Sequence, residues 1–366
     1  MDRIQNFKYN RLLSWFLLLG FSLLIILTFY VVGRQLTYYA QNYNPITSMY
    51  INANEEIYVS VRFHLKNYLF LSKDMGETWS NITPEYYLKE EEKVNDIILI
   101  FGKEETSEFI GLISRDSFFL SNDRGETWDR IEYPNNTRVF LARRNPFSEN
   151  EFMLAAFNGI FFTDNYGKDL KHITEVFSKD TESSAFIIKD LTFTGTPGVI
   201  YFASYDSLFT TQNGGFTWKK VITSRKFYYQ IEVDPYDDLH IFAGISNGGI
   251  LESFNGGYSW EYLDKRLPFK PKKNLRCFFL KINPFNPNLI FSALEVDDRE
   301  QENIYSSDGG KTWDRMKFKE PLDSNSIVIF QKNLIYLGTS NGKIYISKDN
   351  GVNWEPLKFN IEVLLK

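Results

Sequence analysis

One pattern, Ser/Thr-x-Asp/Asn-x-Gly-x-Thr/Ser-Trp, returns along almost the whole chain and leaves few folds open. It reads Ser72-Lys-Asp74-Met-Gly76-Glu-Thr78-Trp79, then Ser121-Asn-Asp123-Arg-Gly125-Glu-Thr127-Trp128. Later copies centre on Asn213, Gly215 and Trp218; Asn255, Gly257 and Trp260; Asp308, Gly310 and Trp313; and Asp349, Gly351 and Trp354. A worn copy with Thr163, Asn165, Gly167 and Asp169 carries Leu170 where the tryptophan belongs. Trp79 and Trp354 stand 275 residues apart, six intervals of about 46. That period suits a four-stranded propeller blade.

Each position has a physical task. The Asp or Asn side chain accepts backbone N–H bonds inside a tight turn, and the glycine supplies a positive φ. The apolar stretch before each copy (YLFLS, FFLS, IFFT, LFTT, ILES, IYSS, IYIS) is a strand entering that turn. The tryptophan opens the next strand and offers a large face to wedge between blades. A calcium role would need a longer loop and a later glutamate, so the carboxylates read as structural. Asn145-Pro146, Asp234-Pro235 and Asn283-Pro284 fall at one phase and end the first strand of their blades. The expected fold is all-β: a single propeller of seven four-stranded blades over residues 46–366. Its last blade ends near Asn360, and the leftover IEVLLK adds an edge strand or closes the ring.

Ahead of the repeats, Leu12 to Val32 runs 21 residues without a charge. At about 1.5 Å per residue it matches a bilayer's hydrocarbon core, so residues 12–33 are expected to form a transmembrane helix. Arg3, Lys8 and Arg11 precede it and only Arg34 follows closely. The positive-inside bias then leaves residues 1–11 as a cytoplasmic tail, 34–45 as a juxtamembrane linker and the propeller extracytoplasmic. A cleaved signal peptide is the competing reading, disfavoured by the length of the apolar run and by the lack of a small-x-small site after it.

Composition removes several function classes. A formal charge of −5 and a pI near 5.5 give no footprint for a nucleic-acid binder. Cys277 is the sole cysteine, so no internal disulfide and no Cys/His metal spacing exist. His64, His172 and His240 are scattered, and no phosphate-cradling glycine loop occurs. No cofactor is expected.

The turns are similar to the Asp-box (BNR) repeats of the sialidase-like propeller superfamily, across roughly residues 46–360. The resemblance implies the fold firmly and the activity weakly. Sialidases have six blades, an arginine triad and an early Arg-Ile-Pro; here that tripeptide is missing and blade one's arginine is Arg62. Xyloglucan-type endoglucanases pair two propellers with carboxylates across the cleft, and one propeller of this length supplies half of that. Sortilin-type receptors have ten blades and a cysteine-rich module. In size and blade count the chain resembles the photosystem II stability/assembly factors, which work as non-enzymatic scaffolds. That implies a protein partner in the cell envelope, with glycan binding or glycoside hydrolysis as the alternative.

Loops joining strand four to the next blade, and strands two to three, share the face opposite the Asp-box turns. Lys265, Arg266, Lys272, Lys273 and Arg276 in one such loop are expected there beside Asp297 and Asp298 in another. Two readings of these opposed charges stand together: mutual solvation, or a polar docking surface. Tyr86, Tyr87, Tyr228 and Tyr229 are candidates to stack on a sugar or partner, or else pack inside. Among many acids, Asp190, Glu232 and Asp234 lie in or beside predicted inner strands, with nothing to single out a catalytic pair.

Overall fold

Seven contiguous segments each fold into a four-stranded antiparallel sheet whose strands follow chain order. This computed structural model describes residues 44–365 except 65, 86–96, 104–107, 134–136, 157–158, 174–187, 205–206, 224–227, 271–274, 297–299, 323–325 and 332. The expected membrane segment 12–33, and Tyr86, Tyr87, Lys272, Lys273, Asp297 and Asp298, lie outside the described residues. Among the described residues no helix is long and apolar enough to cross a membrane.

Residues from Pro45 onward form one compact unit. The inner strands are Ile46–Ile51, Ile97–Gly102, Val139–Arg144, Asp190–Phe193, Tyr228–Asp234, Leu275–Asn283 and Ile327–Phe330. The ring closes without a shared blade. Instead, Ile46 donates its amide to the Thr339 carbonyl at 3.2 Å, and the Gln331 side chain donates to the Ile51 carbonyl at 3.1 Å. The C-terminal residues form a helical turn, Ile361–Leu364, rather than an edge strand. Asn360 caps that turn, and Ile361 and Phe359 join the apolar seam between blades seven and one. Closure by packing is the option this tail takes.

The core is divided. Among the described residues, seven buried clusters each sit between two neighbouring blades. Strand alternation explains it, because successive side chains point to opposite faces of a blade. On the second strand of blade five, Ile241, Ala243 and Ile245 face blade four, while Phe242 faces blade six.

The Asp-box turns repeat one geometry. In the first, Asp74 accepts the Thr78 amide at 2.8 Å and its hydroxyl at 2.5 Å, and the Ser72 hydroxyl at 2.8 Å. Ser72 in turn accepts the Gly76 amide at 2.7 Å. The Thr78 hydroxyl, foremost among these bonds, pulls the exposed Asp74 carboxyl down to about 2. The carboxylate oxygens are occupied within their own turn. Even the worn third copy keeps the frame: Asn165 accepts the Asp169 amide at 3.0 Å and Thr163 accepts the Gly167 amide at 2.9 Å.

Two features of the turn exceed the expectation. The residue before the glycine also has positive φ, as at Met75 (58°), Arg124 (62°), Tyr166 (61°) and Asn350 (57°). The glycine itself is pressed against the preceding blade: a Cβ on Gly76 would lie 2.8 Å from Leu357, and one on Gly125 2.7 Å from Ile82. The indole N–H of Trp79, Trp128, Trp313 and Trp354 donates to the carbonyl of its own box glycine at 2.9–3.2 Å. Turn, glycine and tryptophan together form a clamp on the neighbouring blade.

Candidate functional site

The inner strand of every blade is a sheet edge, and an edge leaves backbone donors unpaired. Here the preceding blade supplies acceptors. Ser48 Oγ accepts the Ile100 amide at 2.9 Å from blade two, and Asp190 Oδ2 accepts the Ile231 amide at 3.0 Å from blade five. Gln230 accepts the Leu280 amide, and Glu232 Oε2 takes that of Ile282 at 3.4 Å, both from blade six. Arg143 of blade three donates to Asp190 Oδ1 at 2.7 Å, and Lys281 bonds Glu232. A polar belt from blade three to blade six therefore rivets the inner strands together.

These strands enclose an axial cavity of about 400 Å³. Its walls are mainly apolar: Ile51, Leu99, Val233, Ile282, Val328 and Ile329 contribute. Its charges are closed in pairs, Arg143 on Asp190 and Lys281 on Glu232, while Arg144 lies over the Tyr50 ring at 5.8 Å. Burial raises the Glu232 carboxyl above its ordinary range against the pull of Lys281. Glycosidic chemistry needs two carboxyls facing the same substrate about 5–10 Å apart. Asp190 is fully buried beneath Arg143 and bonded to the backbone, so it presents no face to a substrate.

The cavity opens on the face of the Asp-box turns, because the turns between first and second strands lie there. Backbone bonds tie the two sets: Gly256 donates to Leu239 at 2.9 Å and Gly309 to Asn288 at 3.0 Å. On this face Asn145, Asp234 and Asn283 each accept the amide two residues on, that of Phe147, Tyr236 and Phe285, at 2.9–3.0 Å, and Phe147 and Phe285 line the cavity itself. Those aromatics are 50%, 71% and 58% exposed, far beyond what a core residue shows. The sequence held the signal, since each follows one of the in-phase prolines, yet phase alone does not separate a rim residue from a packed one.

The other sequence candidates fare unevenly. Arg276 is exposed and sits directly opposite Glu295, 3.5 Å away, so these two charges pair with each other; Lys265 is exposed on a short 3-10 turn. Arg266 is not on the expected face. Blade five's outer strand is only Glu261–Tyr262, so the chain turns just past the Asp box and Arg266 reaches back to it. There it bonds Glu252 and, at 3.3 Å, the Gly310 carbonyl. Tyr228 is not a stacking platform either: it is 1% exposed in the seam of blades four and five, near Trp260. Tyr229, pointing the other way, is half-buried against Phe278.

On the Asp-box face, His240 places Nδ1 3.2 Å from Asp234 and Nε2 2.9 Å from Glu252, with its ring stacked on Phe254 at 4.7 Å. Two carboxylates on two ring nitrogens are both satisfied only by the imidazolium. Burial opposes that charge, but the bonds to Glu252 and Asp234 outweigh it and raise the pKa. A raised pKa adds stability that is complete below the unfolded value of about 6.5 and is lost as pH rises through the folded one. The wild-type melting temperature should accordingly fall with rising pH above about 6.5, whereas His240→Gln should be flatter. Parallel circular-dichroism melting profiles for the two proteins would refute this assignment.

Comparison with known proteins agrees with this geometry. Residues 223–358, essentially blades five to seven, match the family model described as photosynthesis system II assembly factor YCF48. The chain is an Asp-box β-propeller similar to YCF48. Among solved structures, YCF48 from Cyanidioschyzon merolae aligns with a TM-score of 0.63 at 15% identity, covering 84% of this chain and 96% of that one. A second structure, YCF48 bound to D1 peptide, aligns at 0.57 and 15%, covering 84% and 94%. The GH74 xyloglucanase of Xanthomonas campestris aligns at 0.61 and 14%, covering 85% of this chain. This Asp-box propeller spans about half of that enzyme, 53% of its length. At these identities the likeness shows the fold. Comparison with curated protein sequences found no match.

Proposed function

We propose that this Asp-box propeller is a non-enzymatic scaffold that binds another protein in the cell envelope, held at a membrane by residues 12–33 with the propeller on the extracytoplasmic side. One observation carries the reading: the axial carboxylates, Asp190 and Glu232, are already engaged by neighbouring blades and by Arg143 and Lys281. The family match supports assembly work, and a YCF48 structure holds a peptide. The orientation rests on Arg3, Lys8 and Arg11 ahead of the apolar segment.

The glycan reading draws on the xyloglucanase likeness and on Phe254, an exposed ring backed flat by His240. In-membrane crosslinking of the full chain followed by purification separates the two. The scaffold reading expects a defined protein adduct and no release of reducing sugar from xyloglucan. Sugar release without an adduct overturns it. Protease added to spheroplasts, in which periplasmic and surface domains are both accessible, should digest the propeller; complete protection there would refute the assigned orientation.

A further inference from the structure

We infer that the mouth of the axial cavity on the Asp-box face, lined by Phe147 and Phe285 with Tyr236 following the lining residue Pro235, is where an uncharged apolar segment of a partner protein docks. The inference rests on the protein-binding reading above and adds the place and the chemistry of the partner.

The three aromatics are exposed without being loose. Each follows a proline, and each backbone is pinned by an Asx-type bond at 2.9–3.0 Å. Rigid exposed aromatics around a pocket lose little freedom on binding and are the residue type that anchors interfaces. None of the three belongs to the buried clusters that join the blades among the described residues.

Electrostatics choose the occupant. Arg143 and Lys281 are neutralised by Asp190 and Glu232, and Arg144 faces the Tyr50 ring. A charged side chain entering the cavity would lose its water and compete with pairs already made. An uncharged aliphatic or aromatic side chain meets Leu99, Val233 and Ile329 at no such cost. About 400 Å³ accepts two or three apolar side chains of an extended peptide.

The test uses the full chain in lipid nanodiscs and a fluorescein-labelled Gly/Ser dodecapeptide with Leu-Phe-Leu at its centre. Control peptides carry Lys or Glu triplets, and a cello-oligosaccharide serves as competitor. The apolar peptide should bind at least 10-fold more tightly than either charged one by anisotropy. Phe147→Ser with Phe285→Ser should weaken it at least 10-fold. Phe216→Ser, more exposed than either but on an Asp-box tip, should leave it unchanged. Unchanged melting of all variants keeps folding out of the comparison. Equal binding in the double variant, tighter binding of a charged peptide, or displacement by the sugar overturns the inference. If the peptide fails while the membrane crosslink survives in the double variant, the docking place falls and the scaffold reading stands. If the sugar binds and no protein crosslinks, both fall.

Discussion

Replacing Asp190 with alanine should destabilise the propeller by about 2–5 kcal/mol, because the buried amides of Leu191 and Ile231 lose their acceptor and the partly exposed Arg143 loses its partner. The carboxylate serves three donors at once: Arg143 at 2.7 Å, its neighbour Leu191 at 2.9 Å, and the Ile231 amide of the next blade at 3.0 Å. A buried pair can often be exchanged for hydrophobic residues at little loss, and that rule tells pair from rivet here. If Asp190 mattered only to Arg143, the double change Arg143→Met, Asp190→Leu would recover stability. Because the Ile231 amide would still lack an acceptor, the double variant should remain about 1–3 kcal/mol below wild type. Arg143→Met alone leaves the buried Asp190 carboxylate without its cation, so it too should be destabilising. Chemical denaturation of the four proteins gives the comparison. Full recovery in the double variant would show that the belt does not tie blade four to blade five.

Much of this fold is legible in a single chain because its information is local. Each Asp box fixes a turn over eight residues, and a turn fixes the two strands beside it. The in-phase prolines mark the ends of inner strands in the same way, and blades five and six end theirs at Asp234 and Asn283 as that phase implies. The contacts between blades are a different kind of information. Asp190 meets Ile231 across 41 residues and Gln230 meets Leu280 across 50, and no spacing rule ties side chains to amides over such distances.

The same limit explains the misplaced site residues. Tyr228 and Tyr229 are neighbours in sequence, and only the register of the inner strand decides that the first is buried in a seam. Arg266 belongs by sequence to an inter-blade loop, and only the two-residue length of the outer strand turns it back onto the Asp-box face. The rim aromatics were visible as residues after the prolines, yet their exposure depends on where seven turns converge. Sequence supplied the scaffold, while the candidate site is a property of the closed ring.

The second large effect lies in the glycine of the box, and it separates two reasons for a glycine that the sequence merges. Gly351 has φ +84°, and a Cβ there would lie 2.4 Å from the Phe291 ring of blade six. Gly214 has φ +68°, and a Cβ there would meet nothing within 4 Å. Left-handed backbone costs a non-glycine residue about 1–2 kcal/mol, so Gly214→Ala should lose about that much. Gly351→Ala carries the same backbone cost and must also push apart a packed seam, which adds about 1–3 kcal/mol. Phe291 is buried against Trp354 and Phe330, so its ring has little room to retreat. The expected order is a loss at Gly351 roughly twice that at Gly214, read from denaturation midpoints at constant slope. A loss of equal size at both positions would mean that the glycine serves the turn alone. The clamp between blades would then rest on the tryptophans. If the order holds, the box is a device for joining blades as much as for turning the chain, and its Asp and Asn side chains set the turn that brings glycine and tryptophan onto the neighbouring blade.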